Sequence, residues 1–370
     1  MVPVAIYGDG KWSKVLQDIL ENEYSHLVEE AGGEALQCKA FVSLQKTENA
    51  ITIAEFAKEF AMGTLAAIIL PKEYYIHQNA IVMALLREGV PYEGIYVSCR
   101  LEGIKDISYN ALLTPFLEDP YLSYLEYHVA DHCNLNCKLC THYSPLVMEP
   151  VFTDLDTFKK GLKSLKQKVK DIGIIRILGG EPLLNDQLPA FIEYTRFLYP
   201  AAIIDVVTNG ILVEKISDEL IKTMQDNIVF FHISLYKPVE NQIEKIKRFL
   251  VEKNIAFTVS PMNDVFMKTQ KLEESQNTDF FFHCFQATCT CLQDGILMPC
   301  YAPYTTKYFN RAFGEALPTE EGLCLTNPGV SLEEIKRYIY TPMERCKYCY
   351  SGAVESWQAV GKKSCKEDWV

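Results

Sequence analysis

Short runs of apolar, often β-branched residues alternate with stretches of helical period along the first 110 or so positions. VPVAIYG, CKAFVS, LAAIILP and YEGIYVS read as strands, and KWSKVLQDILENE, TIAEFAKEFAM and QNAIVMALLREG between them read as helices. That βαβ order predicts a parallel sheet flanked by helices, a small Rossmann-like domain over residues 1–112. The alternation restarts with longer units over 121–262. Strands are predicted at 124–130, 173–179, 202–210, 227–236 and 256–262, with helices between them. Five such repeats predict a parallel barrel of TIM type, or an incomplete one. Residues 263–370 lose this periodicity until the helical SLEEIKRYIY near the end, so a bound metal is expected to organise the segment.

Period-two alternation sorts the barrel strands into two faces. Tyr127, Val129, Ile175, Ile177, Phe231, Ile233, Leu235, Phe257 and Val259 form an apolar set that packs on the helices. Opposite them lie Glu126, His128, Arg176, Asp205, Asn209, His232, Ser234, Tyr236, Thr258 and Ser260. A lumen filled for stability is bulky and branched, whereas this one is polar. It either holds a polar ligand or forms an internally satisfied hydrogen-bond network. In the helix near 158–170, Phe158, Leu162, Leu165 and Val169 form the buried stripe, and the lysines between them form a solvated face.

Charge and cysteine content narrow the classes. The formal charge of −12 argues against a nucleic-acid scaffold. No run of eighteen apolar residues and no signal-peptide start is present, so a cytoplasmic protein without a membrane segment is expected. Thirteen cysteines in a chain of 370 residues point to metal binding in a reducing compartment rather than to disulfides. The first turn, Gly8-x-Gly10-x-x-Ser13, is either a phosphate-binding turn or a structural βα turn; it lacks a third glycine, and Ser43 stands where an acidic ribose ligand belongs.

The strongest chemistry lies just past the first barrel strand, where Cys133, Cys137 and Cys140 have the spacing C-x3-C-x2-C. Three thiolates on one loop can cap three corners of a 4Fe-4S cluster and leave one iron open, while zinc would need His132 or His142 as a fourth ligand. GGEPLL ends the second strand, and TNG and ISLY end the next two. Together these motifs resemble the radical S-adenosylmethionine (radical SAM) enzymes over about residues 121–262.

The resemblance implies a 4Fe-4S cluster on Cys133, Cys137 and Cys140, whose open iron chelates S-adenosylmethionine. It implies that the backbone of Gly179, Gly180, Glu181 and Pro182 receives the methionyl ammonium, with Asn209 and Ser234 at ribose and carboxylate. Reductive cleavage would give a 5′-deoxyadenosyl radical, with reduced flavodoxin or ferredoxin as electron donor. Leu139 stands where the family usually has an aromatic beside adenine, and Tyr143 is the alternative for that contact.

Further along, Cys284-x10-Gly295-x4-Cys300 is followed by Cys346-x2-Cys349. Four thiolates can fully cap a second 4Fe-4S cluster, or bind zinc. The order resembles the twitch form of the SPASM auxiliary-cluster domain, here over 263–370. Cys289 or Cys291 could replace Cys284, or could donate a hydrogen atom. Cys38, Cys99, Cys324 and Cys365 carry no motif and read as buried small hydrophobes. CTHYSPL and the closing CKEDWV also resemble radical SAM proteins found beside polysaccharide genes.

The expected activity is dehydrogenation of a sugar, cyclitol or nucleotide-linked sugar, with His232, Tyr236 or Arg176 assisting loss of the hydroxyl proton. Epimerisation with Cys289 or Cys291 as hydrogen donor is a second reading. Maturation of a ribosomal peptide is a third, though the α/β start does not resemble a winged-helix leader-binding domain. A noncatalytic redox protein would leave GGEP without a purpose.

Overall fold

In the computed structural model of the chain, the described residues are 1–23, 34–99, 112–276, 278–349, 353–361 and 364–370. They form two compact units, Met1–Ser123 and Tyr124–Val370. The end of the predicted first domain, 100–111, lies outside the described residues.

The first unit carries β1 (Val2–Tyr7), α1 (Lys11–Asp18), β2 (Leu36–Ser43), β3 (Ile51–Thr52), α2 (Ile53–Ala61), β4 (Ala67–Leu70), α3 (Gln78–Arg87), β5 (Ile95–Ser98) and β6 (Leu113–Pro115). Its sheet runs β3-β2-β1-β4-β5-β6. Every pair is parallel except β5 with the edge strand β6. Apolar runs too short for helices therefore become parallel strands, β4 buried throughout, with Val4, Ile6 and Ile69 packed on Leu16 and Leu20. The α2 helix starts where Thr52 and Glu55 satisfy each other's backbone amides.

The Gly8–Ser13 turn is filled by protein. Ser13 is fully buried and donates its hydroxyl to the Tyr7 carbonyl at 2.8 Å. A Cβ on Gly8, whose φ is +83°, would lie 2.7 Å from the Tyr74 hydroxyl. Tyr74 takes the space over this turn, which favours its structural reading.

The predicted repeats appear as β7 (Tyr121–Ala130), whose residues from Tyr124 on belong to the second unit, and then α4 (Leu155–Lys168), β8 (Asp171–Gly179), α5 (Leu188–Leu198), β9 (Ile203–Thr208), α6 (Asp218–Asp226), β10 (Val229–Ile233), α7 (Ile243–Glu252) and β11 (Phe257–Val259). These strands neighbour one another in sequence order, and β8 through β11 pair in parallel. The apolar face meets the helices as alternation predicts, with the Tyr127 ring 4.5 Å from Phe158 between β7 and α4. Phe158, Leu162, Leu165 and Val169 are buried.

After these repeats come β12 (Val265–Met267), β13 (Cys291–Gln293), β14 (Ile296–Met298), α8 (Ala302–Phe313), β15 (Leu323–Cys324), α9 (Leu332–Tyr338) and β16 (Val354–Ser356). Here the cysteine-rich segment joins the sheet of the repeats. Its β13, β14 and β15 extend the barrel sheet beyond β7, with Cys291 opposite Glu126, and β12 pairs with β16 in a separate ribbon. Cys324 and Cys365 are exposed, not buried hydrophobes, while Cys38 and Cys99 are half-buried. No described helix is long and apolar enough to cross a membrane.

Candidate cluster and cofactor site

The barrel opens at the C-terminal ends of its strands, where loops can approach one another and backbone amides are free. A cleft there is lined by Cys133, Cys137 and Cys140 from the loop after β7, and by Gly179 and Gly180 after β8. Thr208 and Asn209 after β9, and Ser234 and Tyr236 after β10, complete it together with Phe266. Four separate sequence motifs thus converge on one cavity.

Donors point at the cysteine sulfurs. The Trp357 indole nitrogen is 3.1 Å from Cys137 Sγ, the Leu135 amide is 3.3 Å from Cys133 Sγ, and Asn209 Nδ2 is 3.6 Å from the same sulfur. N–H donors around sulfur suit thiolates and cluster sulfurs, so this donor set fits an iron–sulfur group. Burial pushes the free thiols up, Cys133 to about 12 and Cys137 to about 11, so a metal must displace their protons on binding. Among the described residues no three His, Cys, Asp or Glu side chains converge as ligands of a single metal ion.

The glycines are dictated by close packing. A Cβ on Gly179, at φ +142°, would lie 2.0 Å from the Ala130 carbonyl oxygen, and one on Gly180 would lie 2.2 Å from that of His132. Gly180 donates its amide to Ala130 O at 2.7 Å, and Glu181 donates to His132 O at 3.0 Å. These contacts lock the Gly179–Pro182 turn against the cysteine loop. Gly179→Ala is therefore expected to cost about 3 kcal/mol of stability through backbone strain and displacement. Chemical denaturation would measure that cost, and unchanged unfolding would show that the turn yields.

Glu181 and Pro182 do not line the cleft. The Glu181 carboxylate, fully buried, accepts from Leu183 N, Thr208 Oγ1 and Asn209 N at 3.1, 2.7 and 2.9 Å. Burial pushes it up to about 7 against the pull of those three donors. It ties the turn after β8 to the end of β9, so its side chain positions Asn209 rather than meeting a ligand. Asn209 Nδ2 also donates to Asn134 Oδ1 at 2.7 Å.

Neither candidate for the adenine contact faces the cleft. Leu139 is buried, and Tyr143 packs on Phe309 and Trp369 with its hydroxyl donating to Gln270 Oε1 at 2.8 Å. Both have positive φ, 59° and 52°, and the loop's reversals turn them inward. The aromatic wall is instead Tyr236 beside Phe266, ring centroids 5.9 Å apart. Phe266 lies outside the motifs, so local sequence gave no signal for it. His142 was missed as a lining residue too; its Nδ1 donates to Gly179 O at 2.9 Å, and burial next to His128 lowers it to about 3, keeping it neutral.

Deeper in the lumen the polar strand positions form a second cluster. Arg176 grips Asp205 through Nε at 3.0 Å and Nη2 at 2.8 Å. A guanidinium so paired stays protonated and cannot accept a proton, which removes Arg176 as a base. Burial raises the Tyr236 phenol, so it too remains a donor. His232 Nδ1 is 2.9 Å from Thr258 Oγ1, and burial followed by the Arg176 charge lowers its pKa, leaving it neutral.

Glu126 is the lumen group that the sequence reading underrated. It is 3% exposed, and its Oε2 accepts from Tyr124 OH at 2.6 Å while Oε1 has no partner among the described residues. Burial pushes it up to about 7. Burial and then the Glu126 charge raise both the Cys289 and the Cys291 thiols, with Cys291 fully buried in β13 opposite Glu126. Cys284, Cys300 and Cys346 all lie near enough to Cys349 for its sulfur to raise their thiols, after burial, and Cys289 and Cys291 border this group.

Residues 127–256 match the family model described as Radical SAM superfamily. A GTP 3′,8-cyclase of Thermodesulfovibrio yellowstonii is 30% identical over 129 residues, 34% of this chain and 39% of that protein. One from Clostridium botulinum is 26% identical over 266 residues, 66% of this chain and 75% of the other. The solved structure of BtrN in complex with AdoMet and 2-DOIA is 17% identical, covering 61% of this chain and 92% of BtrN at a TM-score of 0.36. The chain thus spans about two fifths of the cyclase from T. yellowstonii. The cysteine loop, the glycine turn and most of the residues lining the cleft between them fall within residues 127–256, the stretch that matches the Radical SAM superfamily model.

Proposed function

We propose that the chain is a radical SAM oxidoreductase that dehydrogenates a polyhydroxylated substrate of the sugar or cyclitol type. The observation that carries this reading is the unpartnered Glu126 oxygen in a buried, hydrogen-bonding lumen. Such an oxygen calls for a hydroxyl or ammonium donor. Cys133, Cys137 and Cys140 would hold the first cluster, and the Gly179–Gly180 backbone, Asn209 and Ser234 would hold S-adenosylmethionine, with Tyr236 and Phe266 beside its adenine. Bound there, the cluster and S-adenosylmethionine would together supply the chemistry that abstracts a hydrogen atom from substrate.

The chain's own part is positioning and proton transfer. Tyr124 orients the Glu126 carboxylate, whose free Oε1 takes the carbinol proton, and the Arg176–Asp205 pair supplies fixed hydrogen-bonding groups. Removal of one hydrogen atom and one proton leaves one electron to dispose of. Cys284, Cys300, Cys346 and Cys349 would hold a second, fully capped cluster as its acceptor. Reduced flavodoxin or ferredoxin would supply electrons to the first cluster.

The names of the matched cyclases raise a nucleoside triphosphate as an alternative. Among the described lumen positions of β7 to β11 the cation is Arg176, already neutralised by Asp205. That leaves a triphosphate poorly compensated there. Cys289, in the field of Glu126 and Arg176, keeps epimerisation as a second reading, because a thiol there could return a hydrogen atom.

The reading is tested with reconstituted protein, reductant, S-adenosylmethionine and a panel of carbinol-deuterated cyclitols and nucleotide-linked sugars. Deuterium in 5′-deoxyadenosine together with a carbonyl product is expected. Label transfer with an inverted alcohol and no carbonyl would establish epimerisation. Transfer from peptide α-carbons alone would overturn both.

A further inference from the structure

Arg345 stands just before Cys346 and is 1% exposed. Each of its three side-chain nitrogens donates: Nε to Thr306 Oγ1 at 2.8 Å, Nη1 to Cys349 Sγ at 3.4 Å, and Nη2 to Gln270 Oε1. All of these partners are neutral while the cysteine is a thiol. Among the described residues no carboxylate pairs with the guanidinium, and the nearby Glu321 carboxylate accepts from the Arg345 backbone amide at 2.9 Å.

A guanidinium cannot shed its proton, and a buried charge without a counter-ion is costly. Neutral thiols do not compensate it. Thiolates on a cluster do, and Cys349 is within reach of the charge while Cys300 also feels it. This argument rests on the second cysteine set holding a cluster, as proposed above. We propose that Arg345 is the counter-cation of that set and raises the reduction potential of the cluster it holds. Reduction adds negative charge next to a fixed positive one, and an N–H donor to sulfur favours the more electron-rich state. Gln270 Oε1 also accepts from Tyr143 OH, and the Tyr143 amide donates to Cys140 O at 2.9 Å. The inward turn of Tyr143 therefore ties Arg345 to the first cysteine loop as well.

The reconstituted 370-residue chain, wild type and Arg345→Gln and Arg345→Lys variants, is titrated electrochemically with electron paramagnetic resonance detection. In Arg345→Gln the reduced-to-oxidised ratio of the second cluster at fixed poise should fall about tenfold, a shift of about 59 mV for one electron. Arg345→Lys should stay within about twofold of wild type, and the first cluster, read in the same samples, should not move. Loss of the second cluster in Arg345→Gln but not in Arg345→Lys would also support the charge. An unchanged potential in Arg345→Gln, or loss of the cluster in both variants, would overturn it in favour of packing. Wild-type protein with four irons and one signal would instead remove the second cluster, a failure of the underlying reading that is seen before any variant is made.

Discussion

Replacing Cys133, Cys137 and Cys140 together by alanine is expected to abolish 5′-deoxyadenosine formation and to lower bound iron from the proposed value of about eight to about four per chain. The three sulfurs sit on one loop locked to the Gly179 turn, with N–H donors from Trp357, Leu135 and Asn209 aimed at two of them. No other described cysteine lines that cleft, so no thiolate can take their place. The second set, on different loops, should keep its own iron in the triple variant if it holds the proposed cluster. Iron and sulfide quantitation with anaerobic assay after dithionite reduction reads both effects. Equal 5′-deoxyadenosine from variant and wild type, or zinc in place of iron, sinks the assignment.

What could be read from sequence followed from periodicity and spacing. Parallel strands buried on one or both faces keep a strong apolar pattern, so β7 to β11 and their helix-facing residues such as Tyr127 were legible. The cysteine loop and the glycine turn were legible because backbone crowding at Gly179 and Gly180 permits no side chain. Contacts between distant segments were not. Trp357 reaches Cys137 across 220 residues, and Phe266 enters the cleft from outside any motif. Tyr143 shows the limit of one-dimensional substitution reasoning. It stands near the position of an expected aromatic contact, but left-handed backbone turns it into a core with Phe309 and Trp369. Arg176 could be placed in the lumen by alternation, yet only its pairing with Asp205 shows that it cannot be a base.

Glu126→Gln should leave hydrogen abstraction intact and slow formation of oxidised product by about 10²- to 10⁴-fold, the range for loss of a general base. Glutamine keeps the shape and an oxygen for Tyr124 but cannot take a proton at the position of Oε1. Label transfer into 5′-deoxyadenosine therefore continues while the carbonyl product does not accumulate, a split that a collapsed site would not give. The pH dependence has a definite sign. The base works ionised, and burial lifts it from the ordinary 4.5 to about 7, so wild-type product formation rises as pH passes through about 7. Glu126→Gln lacks that rise. Stability runs the other way, because a carboxyl with a raised folded pKa favours the native state below its ordinary value and loses that contribution as pH rises through about 7. The variant should therefore gain stability relative to wild type between pH 5 and pH 8, read as denaturation midpoints in matched buffers. Wild-type product rates in Glu126→Gln would return the proton to His232, the proton acceptor left among the three bases first expected from the sequence.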